Sequence, residues 1–196
     1  MGQQTWAGAM GEVWRSARRH KIVSALVALA VAGSLTAIAL ASSASGQAAK
    51  PVSQAAAAFS LPALGQSARG QSGPHVALDG YQGKPLIVNF FASWCGPCKK
   101  ETPLLATFYR TEHGKVAIVG LDENDARANA MSFTRSYGVG YPVGFDPAAI
   151  AASAYGVNAL PQTFFLDARH RIVDRVFGAV TLADLSKGIA LATGEG

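Results

Sequence analysis

The sequence predicts an α/β sandwich built on a central sheet. Two observations lead to this fold class. Short apolar runs, rich in β-branched and aromatic residues, alternate with longer segments of helical periodicity. The 138 residues over which they alternate, 59–196, are enough to bury one good hydrophobic core. No internal repeat is apparent in the 196-residue chain.

The individual elements follow in order along this part of the chain. Because each apolar run is short and each amphipathic segment is longer, the runs predict strands and the segments predict helices, which pack as layers. Strands are predicted at 86–91, 116–121, 163–166 and 172–177, and helices at 97–112, 125–137, 147–155 and 182–191.

The amino terminus carries a segment of a different kind. Residues 22–40 are 19 uncharged, mostly apolar residues, long enough to cross a bilayer as a helix. Basic residues precede this span and no charge follows it directly, so the positive-inside rule predicts a cytoplasmic basic tail at 1–21. A cleaved signal sequence would have the same basic flank, with small residues at 39–44 as the cleavage site. Its apolar core is usually only about 7–15 residues, which favours a retained transmembrane anchor.

Composition then divides the rest of the chain. Residues 41–58 are rich in Ala, Ser, Gln and Gly and predict a flexible linker before a folded domain at 59–196. The basic tail contributes +3 of the formal net charge of +5, so the folded domain is close to neutral. It has no basic stripe interleaved with aromatic residues, which argues against nucleic acid as a partner. We expect a single-pass protein of the cell membrane with an extracytoplasmic domain, or a secreted protein if the segment is cleaved.

The chain has two cysteines, Cys95 and Cys98, placed between the strand at 86–91 and the helix that follows. This context indicates a dithiol/disulfide redox centre. The helix N-terminus would favour the thiolate of Cys95, and the spacing of three lets Cys98 form a disulfide with it, so Cys95 attacks and Cys98 resolves. Pro97 suits the first helical turn, where its missing N–H has no intrahelical partner anyway.

The alternatives for this pair are a structural disulfide or two zinc ligands. A zinc site would need two further Cys or His ligands, and the four histidines are isolated from one another in the sequence. We therefore expect no metal, and no cofactor other than the redox-active Cys95–Cys98 disulfide itself.

Three segments of the chain resemble one family. Residues 83–103, with the sequence GKPLIVNFFASWCGPCKKETP, are similar to the active-site stretch of the TlpA/ResA/DsbE group of membrane-tethered, thioredoxin-like proteins. Residues 155–167 resemble the segment that carries their cis-proline, and residues 59–62 resemble the start of their extra amino-terminal hairpin. The resemblance implies a thioredoxin-like fold, a central mixed sheet flanked by helices, with that hairpin, a central insertion at about 122–155, and a cis Leu160–Pro161 bond beside the cysteines.

The resemblance also implies roles for further residues. Trp94, Gly96, Pro97, Leu160 and Pro161 would form the surface on which a substrate chain docks. These residues flank the two cysteines and the implied cis bond.

A third catalytic residue, Glu101, is implied by the corresponding Glu of ResA-like members, which lies near the buried thiol. Asn89 occupies the position where a thioredoxin keeps a buried Asp, and because an amide cannot take up a proton, proton handling must move elsewhere. A partly buried Glu101 could relay the Cys98 proton. The alternative is a surface glutamate in the polar run after Cys98.

The resulting hypothesis is an exported oxidoreductase that reduces disulfides in extracytoplasmic proteins, with electrons from a membrane thiol donor. Apocytochrome c is one candidate substrate, although Gln162 stands where reductases of that pathway often carry an acidic residue. The alternative is a DsbE-type oxidase that introduces disulfides into secreted proteins. Ala92 replaces the Thr expected in a peroxiredoxin-type peroxidase, and no His or Met is spaced to accompany the thiols in copper delivery.

Overall fold

The computed structural model describes residues 54–65, 75–111, 114 and 116–195. Within them, eight strands form: β1 (Gln54–Ala55), β2 (Ser60–Pro62), β3 (His75–Ala77), β4 (Leu86–Phe91), β5 (Ala117–Glu123), β6 (Val143–Asp146), β7 (Gln162–Leu166) and β8 (Arg171–Phe177). The α-helices of the same residues are α1 (Gly96–Thr111), α2 (Arg127–Ser136), α3 (Ile150–Ala154) and α4 (Leu182–Thr193). The four long strands and four helices predicted from the sequence are all present, with ends that shift by up to three residues.

A mixed sheet of six strands is the centre of the described part of the chain. Its order is β1-β8-β7-β4-β5-β6, with β4, β5 and β6 parallel and β7, β8 and β1 joined antiparallel. Strand β4 lies in the middle and all six of its residues are buried, which is why its sequence, LIVNFF, is almost continuously apolar. The predicted thioredoxin-like α/β fold is therefore confirmed.

The two faces of β4 belong to two separate cores. Ile87 and Phe91 point to one face, where they pack with residues of α1, α2 and α4 such as Leu105 and Leu185. Phe90 points to the other face and packs with Tyr155 and Phe164, at ring-centroid distances of 5.1 and 5.6 Å. Helices on both faces thus cover the sheet and leave the ends of its strands as the accessible edges.

The hairpin and the insertion implied by the resemblance are both present. Strands β2 and β3 pair antiparallel as a separate two-stranded sheet. The insertion after β5 contributes α2, β6 and the short helix α3.

The amino-terminal boundary differs from the prediction. Gln54 and Ala55 pair with Ile172 and Arg171 of β8, so residues assigned to the flexible linker extend the sheet by one edge strand. Their Ala-rich composition signals a linker, but the backbone hydrogen bonds of a sheet edge do not depend on side chains. Residues 41–53 of the predicted linker, the basic tail and the span at 22–40 lie outside the described residues. No helix within 54–195, as far as that range is described, is long and apolar enough to cross a membrane.

Candidate active site

The two cysteines lie where β4 passes into α1. They form a disulfide with a Cα–Cα distance of 5.3 Å, and the exposed fraction is 4% for Cys95 and zero for Cys98. The backbone N–H of Cys98 donates a hydrogen bond to Sγ of Cys95 at 3.1 Å. A free N–H of the first helical turn therefore points at the Cys95 sulfur, the arrangement that lowers the pKa of a helix-terminal thiol in its reduced form.

The cis-proline loop reaches the same edge of the sheet. The Leu160–Pro161 peptide bond is cis, as the resemblance implies. Gln162 is paired with Phe90 in the β4–β7 register, so Pro161 comes next to the end of β4, from which the turn to Cys95 emerges. The carbonyl of Pro161 accepts a hydrogen bond from the N–H of Gly178, at 2.9 Å, which brings the end of β8 to this edge as well.

Glu101 is buried beneath this edge, with 2% of its surface exposed. Its Oε1 accepts a hydrogen bond from Asn89 Nδ2 at 2.8 Å, and its Oε2 accepts one from the backbone N–H of Val180, also at 2.8 Å. Asn89 donates a second bond to Thr163 Oγ1 at 2.9 Å. The alternative of a surface glutamate is wrong, because helix α1 turns this side chain into the core.

The burial of Glu101 changes its acid strength. Desolvation raises its pKa from 4.5 to about 7, against the opposing effects of the hydrogen bonds from Val180 and Asn89. A carboxyl with a pKa near neutrality is suited to accept and return a proton. It is the group that the sequence predicted for this role, on the helix that also carries Cys98.

The predicted docking residues differ in how far they are exposed to solvent. Gly96 and Pro97 are exposed, Leu160 is half-buried and Pro161 is buried. The side chain of Trp94 is 57% exposed, and its Nε1 donates to the carbonyl of Asn124 at 3.0 Å. The site edge thus combines an exposed aromatic side chain with a buried cis-proline.

Several residues at this site were not singled out from the sequence. Phe177 ends β8 and Leu182 begins α4, on either side of the segment that carries Val180, and they are 65% and 69% exposed. Asp125 Oδ2 accepts the N–H of Ser93 at 2.7 Å and so fixes the turn before Cys95. Nothing in the local sequence indicates these contacts, since the partners are separated by 32 residues or more.

The residue after the cis-proline is tied to β8. Gln162 is fully buried; its Oε1 accepts a hydrogen bond from Arg175, and its Nε2 donates to Asn158 Oδ1 at 3.1 Å. Arg175 also donates to the carbonyl of Gly156 at 2.9 Å. These bonds hold both ends of the loop that carries Pro161. Among the described residues, no three His, Cys, Asp or Glu side chains converge as a metal site would require.

Comparison with known proteins agrees with this architecture. Residues 52–175 match the AhpC/TSA family. The chain is 34% identical over 111 residues to the thiol-disulfide oxidoreductase ResA of Bacillus subtilis (strain 168); the match spans 56% of this chain and 62% of that protein, less than two thirds of its length.

Two solved structures are similar in fold. A DsbF homologue from Corynebacterium diphtheriae has 27% identity and a TM-score of 0.60, covering 69% of this chain and 84% of its own. A thioredoxin-family thiol:disulfide interchange protein from Chlorobium tepidum TLS has 28% identity and a TM-score of 0.59, covering 71% and 95%. With its CxxC disulfide, cis-proline and buried glutamate in a thioredoxin-like fold, the chain belongs to the AhpC/TSA family, and its relatives there include ResA-type proteins.

Proposed function

We propose that this protein is an exported thiol-disulfide oxidoreductase that reduces disulfides in extracytoplasmic proteins. The observation that carries the proposal is the Cys95–Cys98 disulfide at the start of α1, with a helix N–H on the Cys95 sulfur and the buried Glu101 on the same helix. A purely structural disulfide would need neither the N–H on the sulfur nor a proton acceptor with a pKa near 7.

In the reduced protein, the thiolate of Cys95 attacks one sulfur of a substrate disulfide. A mixed disulfide forms and the other substrate sulfur leaves as a thiolate. Cys98, deprotonated, then attacks the Cys95 sulfur, which releases the second substrate thiolate and leaves the Cys95–Cys98 disulfide seen in the structure. The substrate gains two electrons, and a membrane thiol donor returns two electrons to the protein for the next cycle.

Glu101 supports the second attack. Cys98 is fully buried, so its thiol gives up a proton poorly unless a base is within reach. Asn89 cannot be that base, whereas the Glu101 carboxyl, with its pKa near 7, can hold the proton and pass it to the departing thiolate. The proposed role of the exposed Trp94 and the cis-proline loop is to provide the surface on which the substrate chain docks.

Reduction of insulin with dithiothreitol as the electron source tests this function. The wild-type protein should accelerate precipitation of the insulin B chain, and Cys95→Ser should abolish the effect. With dithiothreitol removed, reduced Cys98→Ser should accumulate a covalent mixed disulfide with insulin that non-reducing gel electrophoresis detects. Lys99→Ala, an exposed neighbour on the same helix, is the matched control and should behave like the wild type. Failure of the wild-type protein on every disulfide offered would contradict the proposal.

The roles of the two cysteines have a separate test. Iodoacetamide should label Cys95 before Cys98 in the reduced native protein, because Cys95 retains some exposed surface and Cys98 has none. The pKa of the Cys95 thiol should be below the free-cysteine value of about 8.5. Preferential labelling of Cys98 would reverse the assignment.

The direction of electron flow separates reductase from oxidase. The Gly96-Pro97 dipeptide is that of thioredoxin, whose potential is about −270 mV, while the oxidant DsbA is near −120 mV. We expect the redox potential of the isolated domain, measured by equilibration with glutathione buffers, to lie near that of thioredoxin. A potential near that of DsbA would favour the DsbE-type oxidase, and apocytochrome c is the first physiological substrate to test.

The proposed location depends on the sequence of the amino terminus. A reporter fused after Gly196 should be active outside the membrane, and the protein should stay in the membrane fraction after a high-salt wash, because residues 22–40 would anchor it. Release of a shortened soluble form would show instead that the segment is a cleaved signal sequence.

A further inference from the structure

A second buried carboxyl lies at this edge of the sheet, and the proposed mechanism does not use it. Asp122 is fully buried near the end of β5, where its neighbours in register are Phe91 of β4 and Phe145 of β6. Neither of its carboxyl oxygens accepts a hydrogen bond from an N–H donor among the described residues, and the carboxyl that interacts most strongly with it is that of Asp125. A carboxylate left without partners in such a place would be strongly unfavourable, so the side chain is expected to stay protonated.

Asp125, three residues further on, connects this carboxyl to the active site. Its Oδ2 accepts the N–H of Ser93 at 2.7 Å and its Oδ1 accepts the N–H of Ala126 at 2.7 Å. Asp125 therefore binds as a carboxylate acceptor, and it fixes the turn that leads into Cys95. The carbonyl of Asn124, in the same loop, accepts the indole N–H of Trp94 at 3.0 Å, so the loop holds the turn at two successive residues.

We infer that Asp122 is a positioning residue of the active site, a neutral buried carboxyl that allows Asp125 to hold Ser93 and the turn that carries Cys95. Ionisation of Asp122 would place a second negative charge beside Asp125 in a poorly solvated region. The two carboxylates would repel each other. Because Asp125 is half-buried and Asp122 is fully buried, Asp125 is the side chain that can move away, and its movement would release Ser93.

The acid strength of Asp122 agrees with this geometry. Burial is the largest cause, followed by the charge of Asp125, by a hydrogen bond from the protonated Asp122 to the Asp125 side chain, and by the charge of Glu123. Together they raise the pKa of Asp122 from 3.8 to about 8. The nearest basic residue of α2, Arg127, donates instead to the carbonyls of Ala63 and Leu64, at 3.2 and 3.3 Å.

The guanidinium of Arg127 also lies over the ring of Phe145, 4.5 Å from its centre, but no cation among the described residues lowers the pKa of Asp122. The strands on either side present phenylalanines in register with Asp122. On α1, the carboxyl of Glu101 is bonded to Asn89 and Val180. With a pKa of about 8, the carboxyl of Asp122 is mostly neutral at pH 7 and ionises in mildly alkaline solution.

The test is the pH dependence of Cys95 alkylation in the reduced protein, with Cys95 labelling by iodoacetamide read by mass spectrometry between pH 6 and 10. In the wild type, the rate of Cys95 alkylation per thiolate should fall about fivefold as Asp122 ionises. This factor of about five corresponds to the loss of one hydrogen bond of ordinary net strength, the one between Ser93 and Asp125. Asp122→Asn, which is neutral at every pH, should remove this decline. Asp125→Ala should lower the rate per thiolate throughout, and adding Asp122→Asn to it should change nothing more.

Asp146→Asn is the matched control. Asp146 is also a buried carboxyl at the end of a strand, β6, but its side-chain oxygens accept the N–H groups of Ile150 and Ala152 of α3, and only its main-chain carbonyl binds the loop after β5, through the N–H of Asn124. This variant should keep the wild-type profile. A decline that persists in Asp122→Asn, or disappears in the control, would overturn the inference.

Two further outcomes keep the inference testable. If Asp122→Asn does not fold, Asp125→Ala decides the question. If the alkylation rate per thiolate still falls with pH in Asp125→Ala, the fall does not depend on Asp125 and the inference is wrong. The inference deepens the proposed function and rests on it for its meaning, but alkylation needs no disulfide exchange. Suppose that the wild-type protein reduces no disulfide while the pH-dependent fall in its alkylation rate is absent from Asp122→Asn. That result would contradict the proposed function but would support the positioning role of Asp122.

Discussion

Replacing Glu101 by Gln should remove a pH-dependent cost from the stability of the oxidised protein. In the folded protein the pKa of Glu101 is about 7, against 4.5 ordinarily, chiefly because the side chain is buried. Below pH 4.5 the carboxyl is protonated in both the folded and the unfolded chain, so it contributes no difference. As the pH rises from 4.5 to 7, the unfolded chain gives up the proton more readily, and stability falls.

The size of this effect follows from the change in pKa. Each pH unit between the two pKa values is worth about 1.4 kcal/mol, so the full cost above pH 7 is roughly 3 kcal/mol. The glutamine of the Glu101→Gln variant would not titrate, and it can keep the local hydrogen bonds. Its oxygen can accept the N–H of Val180, and its amide can donate to Asn89 Oδ1, which has no partner among the described residues, once the Asn89 amide turns over.

Urea unfolding of wild type and Glu101→Gln at pH 4.5 and pH 8 measures this difference. The free energy of unfolding of the variant, relative to wild type, should rise by roughly 3 kcal/mol between the two pH values. Asp79→Asn, at an exposed carboxyl, is the control and should show no such rise. If the difference between wild type and Glu101→Gln is the same at both pH values, Glu101 does not carry the raised pKa, and its proposed proton transfer loses its basis.

Three further substitutions test other features of the structure. Asn89→Asp would place a second carboxyl against Glu101, where Asn89 now donates at 2.8 Å, so urea unfolding should show a loss of about 3 kcal/mol at pH 8 that largely disappears at pH 4. Trp94→Ala should raise KM for insulin about tenfold and leave KM for a small aliphatic disulfide unchanged, because a protein substrate is large enough to pack on the exposed indole while its disulfide is at Cys95. Gly188→Ala should lower stability by about 1–3 kcal/mol in the same unfolding assay, since its Cβ would lie 2.4 Å from the Phe165 ring; an unchanged midpoint would show that α4 can move away.

The secondary structure was largely predictable because it depends on local patterns. The strand at 86–91 is apolar except for Asn89 and its ends match the prediction, since a central strand buried on both faces selects apolar residues at nearly every position. Helix ends shifted more, by up to three residues at α3, where Ala149 occupies the N-cap with a left-handed backbone and no side-chain cap to mark the start. The edge strand β1 was missed because an Ala-rich segment pairs through its backbone alone.

The proposed redox centre of this protein can be predicted from a short stretch of its sequence. Two cysteines three residues apart, at the point where an apolar run gives way to a helix, indicate a dithiol centre because the disulfide and the helix-terminal N–H both arise within one turn of chain. The control of that centre depends instead on tertiary contacts. Glu101 meets the N–H of Val180 across 79 residues, and Asn89 meets Thr163 across 74. Such contacts depend on sheet register and on how each helix packs, and burial, which no short stretch of sequence encodes, then sets the pKa values of Glu101 and Asp122.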